Sequence, residues 1–193
     1  MHTRKEQMEA FGRFLDILDE LREKCPWDRK QTNESLRPNT IEETYELCDA
    51  LIRDDKNDIC KELGDVLLQV VLHSQMEKEA GSFTFEEVVD GVAQKLVYRH
   101  PHVFGDMNAS NEAEALKSWD DAKQKSKQQK THTQVLQSVS RALPALIRSE
   151  KVQKKAAKAG FDWPDVQGAM EKVAEELEEV RAAAAEGNSQ ACM

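Results

Sequence analysis

Apolar side chains recur every three or four residues in several successive segments of the chain, which is the spacing of amphipathic α-helices. The first segment runs from about Lys5 to about Glu23 and is ended by Pro26, because proline removes a backbone donor and restricts the residue before it. Pro38 marks the start of the second helix, and Asp55 and Gly81 mark the two ends of the third. The capping-box pair Thr84 and Glu87 starts the fourth helix, and Asn111 with Glu114 starts a fifth. This pattern predicts an all-α fold, a bundle of four or five helices.

The second and third predicted helices each carry two acidic residues three positions apart, Glu43 with Glu46 and Glu62 with Asp65. Residues at that spacing share one face of a helix, so two facing helices would bring four carboxylates together. Such a density of hard oxygen ligands suits Mg²⁺, with Mn²⁺ as a substitute, rather than zinc. The competing interpretation is a pair of solvated acidic faces without a ligand.

A helical wheel separates these acids from the apolar residues of the same helices. On the second helix the apolar group is Ile41, Tyr45, Cys48 and Ile52, and the roughly opposite group is Glu43, Glu46 and Ala50. On the third helix the apolar stripe is Ile59, Leu63, Val66, Leu67 and Val70, flanked by Asp58, Glu62, Asp65 and Gln69. We therefore expect each helix to have one apolar face for packing and one dedicated acidic face.

Lys95 and Arg99 lie four residues apart near the end of the fourth helix. Such a pair beside a carboxylate-bound ion could hold phosphate oxygens, or it could simply complement the helix dipole. His100 and His102 flank a proline and are interpreted as turn residues. Trp27 is either a buried plug, which is the favoured interpretation, or a platform on which a base stacks.

The last third of the chain repeats the beginning. Glu175, Glu176 and Glu179 copy the spacing of Glu42, Glu43 and Glu46, and Phe161-Asp162-Trp163-Pro164-Asp165 resembles Cys25-Pro26-Trp27-Asp28. No Glu-x-x-Asp pair follows the second copy, so its acids lack the opposing ligands that would close a coordination sphere. We expect a complete module in residues 1–125, a polar linker in 126–142 and an incomplete repeat in 143–193, with the stripe from Val166 to Val180 left uncovered.

Composition narrows the classes of function. The net charge of −9 argues against a general nucleic-acid binder, which needs a basic surface. No apolar run approaches membrane-spanning length, and the charged N-terminus lacks the apolar core of a signal peptide. The four cysteines show no disulfide or metal-site spacing. Reduced thiols in a cytoplasmic protein without nucleic-acid or membrane partners are therefore expected.

Together these motifs resemble the MazG family of nucleoside triphosphate pyrophosphohydrolases. The resemblance covers nearly the whole chain and rests on Lys24 to Asp28, on the two acidic motifs, on Lys95 to Phe104, on Trp119 and on Gly160 to Trp163. It implies an all-α fold, a divalent ion held by Glu43, Glu46, Glu62 and Asp65, and hydrolysis of NTPs and dNTPs to monophosphates and pyrophosphate in nucleotide house-cleaning. It also implies substrate contacts by Asn39, Asp58, Lys61, Lys95, Arg99 and Trp119. Glu42 is the candidate that orients or deprotonates the attacking water.

Three alternatives stay open beside this interpretation. The enzyme could prefer one nucleotide, such as dCTP or dUTP, or act on phosphoribosyl-ATP. From a different class, the chain could be a helical interaction module whose acids bind metal or a partner without catalysis. A di-iron bundle is set aside, because it needs Glu-x-x-His on facing helices and Val70 stands three residues before His73.

The uncovered apolar stripe and the resemblance both predict a homodimer or a higher assembly.

Overall fold

The computed structural model describes residues 3–126 and 131–185, of which most are helical and none forms a strand. The chain separates into two compact units, Met1–Ser118 and Trp119–Met193. The sequence predicted a linker between the two parts at residues 126–142. The helices are α1 (Arg4–Lys24), α2 (Asn33–Arg53), α3 (Lys56–Glu79), α4 (Phe85–Arg99), α5 (Pro101–Phe104), α6 (Glu112–Ser126), α7 (His132–Gln137), α8 (Ala145–Lys158) and α9 (Val166–Ala185). None of the helices in these described ranges combines the length and the apolar composition needed to cross a bilayer.

The helix ends follow the capping signals in most places. The Thr84 side chain accepts from the Glu87 backbone N–H, and the Glu87 carboxylate accepts from the Thr84 backbone N–H, so the predicted capping box starts α4. The Asp55 carboxylate caps α3 by accepting from the backbone N–H groups of Asn57 and Asp58 in its first turn. Gly81 follows α3 with a φ of 71°, a left-handed conformation that glycine adopts without steric cost.

Pro38 lies inside α2, so the prediction that it opens this helix is wrong. Helix α2 begins at Asn33, and its start is fixed by a capping box in which the Thr32 and Ser35 side chains each bond the other residue's backbone N–H. The sequence reasoning weighted proline as a start signal and overlooked this pair, which uses serine where the usual box has Glu or Gln.

The core of the first unit lies where α1, α2 and α3 meet. Its buried members are Leu18, Leu36, Val71, Leu72 and Met76, with Phe11, Phe14, Leu15, Leu68 and Phe85 packed against them. The two phenylalanines Phe11 and Phe85 bring α1 and α4 together, with ring centroids 5.6 Å apart. Helices α2 and α3 have the most extensive contact of any pair, and this antiparallel hairpin carries the candidate site.

The hairpin packs through its polar side, contrary to the expectation that its apolar stripes would be buried. Ala50 is fully buried and Glu62 is only 5% exposed, whereas Ile52 is 84% and Leu63 53% exposed. Small and polar residues such as Ala50 and Glu62 therefore occupy the buried positions near the turn of the hairpin, while most members of both predicted apolar stripes stay accessible within the unit. The solvated-face alternative does not hold for Glu62, which is buried, whereas Glu46 of the other acidic pair is exposed.

The segment between α1 and α2 is held by a buried arginine. Arg22 donates to both carboxylate oxygens of Glu79, at 2.9 and 2.5 Å, and to the backbone carbonyls of Asp28 and Gln31. Charge-assisted bonds to a carboxylate and two carbonyls fix this turn against the end of α3. Trp27 lies in the turn and is 59% exposed, so the buried-plug interpretation is wrong and the stacking role stays a prediction.

The second unit contains the end of α6 together with α7, α8 and α9. Lys155 on α8 donates to the Val135 carbonyl and the Ser138 hydroxyl near α7. The predicted linker thus contains a short helix, while its residues 127–130 lie outside the described part of the chain. The apolar stripe of α9 is exposed as expected. Its members are Val166, Met170, Val173, Leu177 and Val180.

Candidate metal centre

Three of the four predicted acids converge between α2 and α3. One carboxylate oxygen each from Glu43, Glu62 and Asp65 lies within 4.8 Å of the other two. Glu43 comes from α2, while Glu62 and Asp65 lie one helical turn apart on α3. The polar packing of the hairpin therefore produces the convergence that the i, i+3 spacing predicted. No other group of three His, Cys, Asp or Glu residues in the described ranges meets this geometry.

Glu62 supplies an independent test of whether a cation fits this cluster. Its side chain is buried, and its Oε2 atom has no hydrogen-bond partner in the structure. An unpaired buried carboxylate oxygen is costly, because the charge has lost its hydration without a replacement. Three carboxylates directed at one point, with one oxygen unsatisfied, match the hard oxygen ligand set of Mg²⁺ or Mn²⁺. The residues present therefore fit a divalent ion.

The electrostatics of the cluster point the same way. The pKa of Glu43 is raised above its ordinary value of 4.5, first by partial burial and then by the negative charges of Asp65, Glu46, Glu62 and Glu42. A divalent cation would relieve both causes, because it supplies the positive charge that this carboxylate lacks. Lys61 already supplies one positive charge, with its Nζ 2.7 Å from Glu62 Oε1.

A polar network that the sequence patterns did not predict continues the acidic face. His73 contacts the Thr40 hydroxyl through Nε2 at 2.8 Å and the side-chain Oδ1 of Asn33 through Nδ1 at 2.6 Å. The Asn33 side-chain amide N–H donates to the Glu77 carboxylate. The signal was present on α3, where Glu62, Asp65, Gln69 and His73 follow one another at spacings of three, four and four. The wheel of α3 already placed Gln69 beside the acids and His73 continues that face, but the contacts of His73 with Thr40 and Asn33 join two helices and have no local signal.

Comparisons with known proteins decide the family. A family model described as "MazG nucleotide pyrophosphohydrolase domain" matches residues 31–104. The "Nucleoside triphosphate pyrophosphohydrolase" of Escherichia coli (strain K12) is 43% identical over 176 residues, covering 90% of this chain and 67% of that protein. This chain belongs to the MazG family.

Two proteins of Thermotoga maritima extend the comparison. The "Nucleoside triphosphate pyrophosphohydrolase/pyrophosphatase MazG" is 44% identical over 183 residues, which cover 93% of this chain and 69% of that one. The crystal structure of a "mazG-related protein" superposes with a TM-score of 0.52 at 26% identity, covering 58% of this chain and 98% of the other. The match to the family model spans α2 to α5, and so it includes every acid of the MazG candidate site.

The remaining predicted acids lie at the margin of this site. Glu46 is exposed and does not belong to the group of three, although its charge contributes to the raised pKa of both Glu43 and Lys61. Glu42 is exposed next to Glu43 on α2. The four-acid ligand set therefore stays a prediction, of which the structure assembles three members.

The predicted substrate contacts are distributed more widely. Lys61 reaches the acids, but Asp58 accepts a bond of 2.8 Å from Arg53 in the turn between α2 and α3. The others lie on α2, α4 and α6. They are Asn39, half-buried; Lys95, exposed; Arg99, half-buried; and Trp119, half-buried with the Lys123 ammonium 4.3 Å from its ring centroid. Their roles stay predictions.

The acids of the second repeat are arranged differently from those of the first. Lys172 Nζ lies 2.8 Å from Glu175 and 3.2 Å from Glu176, and Arg181 pairs with Glu178 at 2.5 Å. Cations on the same helix therefore pair with Glu175, Glu176 and Glu178. This arrangement supports the interpretation of α9 as a remnant without a metal site of its own.

Proposed function

We propose that this chain is a nucleoside triphosphate pyrophosphohydrolase that uses Mg²⁺, with Mn²⁺ as a substitute, and takes both NTPs and dNTPs. In this reaction water adds to the α-phosphorus, the anhydride bond to the β-phosphate breaks, and the products are a nucleoside monophosphate and pyrophosphate. The observation that carries the proposal is the convergence of Glu43, Glu62 and Asp65, with the buried Glu62 Oε2 unsatisfied.

The residues divide the work as follows. Glu43, Glu62 and Asp65 would hold the ion, and Glu46 would complete the set from the exposed turn of α2. When bound, the ion would polarise phosphate oxygens and lower the pKa of a coordinated water. Glu42 is the proposed residue that orients the attacking water. Lys95 and Arg99 would bind the triphosphate and stabilise charge on its equatorial oxygens.

Release of pyrophosphate tests this proposal directly. Purified protein is assayed against a panel of NTPs, dNTPs and phosphoribosyl-ATP, with Mg²⁺ or with EDTA. We expect metal-dependent release from several nucleotides and a loss of orders of magnitude in Asp65→Asn, which removes a ligand charge while keeping the shape. Asp90→Asn, an exposed acid on α4, is the matched control and should keep wild-type activity. A fully active Asp65→Asn protein would refute the site.

The same panel separates the rival functions. Turnover of dCTP, dUTP or phosphoribosyl-ATP alone would assign a narrow specificity in place of general cleansing of the nucleotide pool. Metal binding without any turnover would identify an interaction module. A house-cleaning enzyme works where nucleotide pools are kept, so a cytoplasmic location remains our prediction.

We further propose that the protein acts as a homodimer or higher assembly. In the first unit, Ile41, Tyr45 and Ile52 of α2 and Leu63 of α3 are each at least half exposed, although both helices are otherwise well packed. An apolar surface of this kind usually marks an interface, and a second copy of the same hairpin is its expected partner. Light scattering should report at least a dimer at micromolar concentration. A monomer under those conditions would contradict this proposal.

A further inference from the structure

Lys61 occupies a distinctive position beside the acids. Its Nζ donates to Glu62 Oε1 at 2.7 Å and lies 3.9 Å from Asp65 Oδ2. It thus contacts two of the three carboxylates that converge on one point. The pairing is asymmetric, because the Lys61 side chain is 64% exposed while that of Glu62 is 6% exposed.

This difference in exposure determines which of the two side chains, Lys61 or Glu62, can move away when an ion binds. Glu62 is fixed within the α2–α3 contact, so its charge needs a counterion whether or not metal is present. The lysine side chain has four rotatable bonds and an exposed stem, so its ammonium can move into water at small cost. A divalent ion at the same point would offer Glu62 and Asp65 a stronger partner, and it would repel the ammonium.

We infer that Lys61 is the counterion of the metal-free acidic cluster and that a divalent ion displaces it on binding. Lys61 therefore lowers the affinity of the site for metal and keeps the empty site folded. The displaced ammonium then becomes available to a phosphate oxygen of the substrate. The inference rests on the proposed metal site, but it concerns a competitor of the ion and not one of its ligands.

Titration with Mn²⁺ in the absence of nucleotide tests the inference, with calorimetry or electron paramagnetic resonance as the readout. Lys61→Met removes the charge, Lys61→Gln keeps a hydrogen-bond donor without the charge, and Lys61→Arg keeps the charge. We expect the two neutral variants to bind Mn²⁺ about fivefold to thirtyfold tighter, the range between an exposed ion pair and a charged hydrogen bond. Lys61→Arg should remain close to wild type.

Thermal unfolding in EDTA provides a second readout. Without metal, the neutral variants should melt at a lower temperature than wild type. Saturating Mn²⁺ should raise their melting temperature by more than that of wild type, because the ion no longer has to displace the lysine ammonium. Lys56→Met is the matched control, since Lys56 is an exposed lysine of the same helix that pairs with Asp54 away from the cluster. It should bind Mn²⁺ like wild type.

The outcomes distinguish this inference from the proposed function. If wild type binds Mn²⁺ and the neutral variants bind it equally or more weakly, Lys61 is not a competitor and the inference is overturned while the metal site stands. If neither wild type nor any folded variant binds Mn²⁺, both the metal site and the inference are overturned.

Discussion

Replacing Glu43 with glutamine should make the metal-free protein more stable and the enzyme less active. Glu43 is the acid whose pKa is raised, chiefly by partial burial and then by neighbouring carboxylates. Glutamine has nearly the same shape but no charge, so it removes the repulsion together with one ligand of the ion. A residue that only stabilised the fold would not change stability and activity in opposite directions.

The magnitude follows from the spacing of the cluster. Its three ligand atoms lie within 4.8 Å of one another. Two unit charges at that separation repel by about 0.9 kcal/mol in bulk water and by about 3.5 kcal/mol at an effective dielectric constant of about 20. Lys61 and salt offset part of this repulsion, so we expect Glu43→Gln to raise the free energy of unfolding by about 1–2 kcal/mol without metal. The midpoint of melting would rise by about 2–4 °C per kcal/mol.

The assay is thermal unfolding in EDTA as a function of pH. The raised folded-state pKa means that protonated Glu43 favours the native state, and this contribution is complete below the ordinary value of 4.5. It is lost as the pH rises through the folded-state pKa. The advantage of Glu43→Gln should therefore be largest at neutral pH and should diminish as the pH falls through the raised folded-state pKa, because the wild-type carboxyl then becomes protonated as well.

Two measurements complete this test. In Mg²⁺ the order of stability should reverse, because the wild type gains binding energy that the variant has lost, and kcat/KM of the variant should fall by orders of magnitude. Asp90→Asn removes a charge from the exposed surface of α4 and should change neither the melting temperature nor kcat/KM appreciably. A Glu43→Gln protein that is less stable than wild type in EDTA at neutral pH would refute the reasoning.

Two further predictions concern the ends of the site. Arg99→Ala should cost about 2–4 kcal/mol of transition-state stabilisation if Arg99 binds the triphosphate. Unchanged kinetics would mean that Arg99 only complements the dipole at the end of its helix. The double change Glu176→Ala with Glu179→Ala should leave turnover nearly intact, whereas Glu43→Ala with Glu46→Ala should abolish it. Equal loss in both folded double variants, checked by circular dichroism, would mean that α9 contributes to a site.

The sequence alone determined the elements and the residues that share a face. Thr84 with Glu87 and Asp55 begin helices as predicted, because a capping side chain and the amides it bonds are only a few residues apart. The spacing of Glu62 and Asp65 was sufficient to put their carboxylates together, since one helical turn fixes their direction. The polar residues of the hairpin outside these motifs were recognised only in part, because the wheel placed Gln69 beside the acids but was not continued to His73.

Tertiary structure decided which face of each helix is inside. Periodicity groups Ile52 with the apolar side of α2 and Ala50 with the acidic side, but it does not say which side meets α3. The chain packs through Ala50 and leaves Ile52 84% exposed, so hydrophobicity alone gave the wrong orientation. The same packing brings Glu43 to Glu62 and Asp65 of α3, while Glu46 lies outside that group. Lys61, on α3 itself, places its ammonium against Glu62. The approach of Glu43 to Glu62 and Asp65 joins atoms on different helices, and no rule of local spacing contains it.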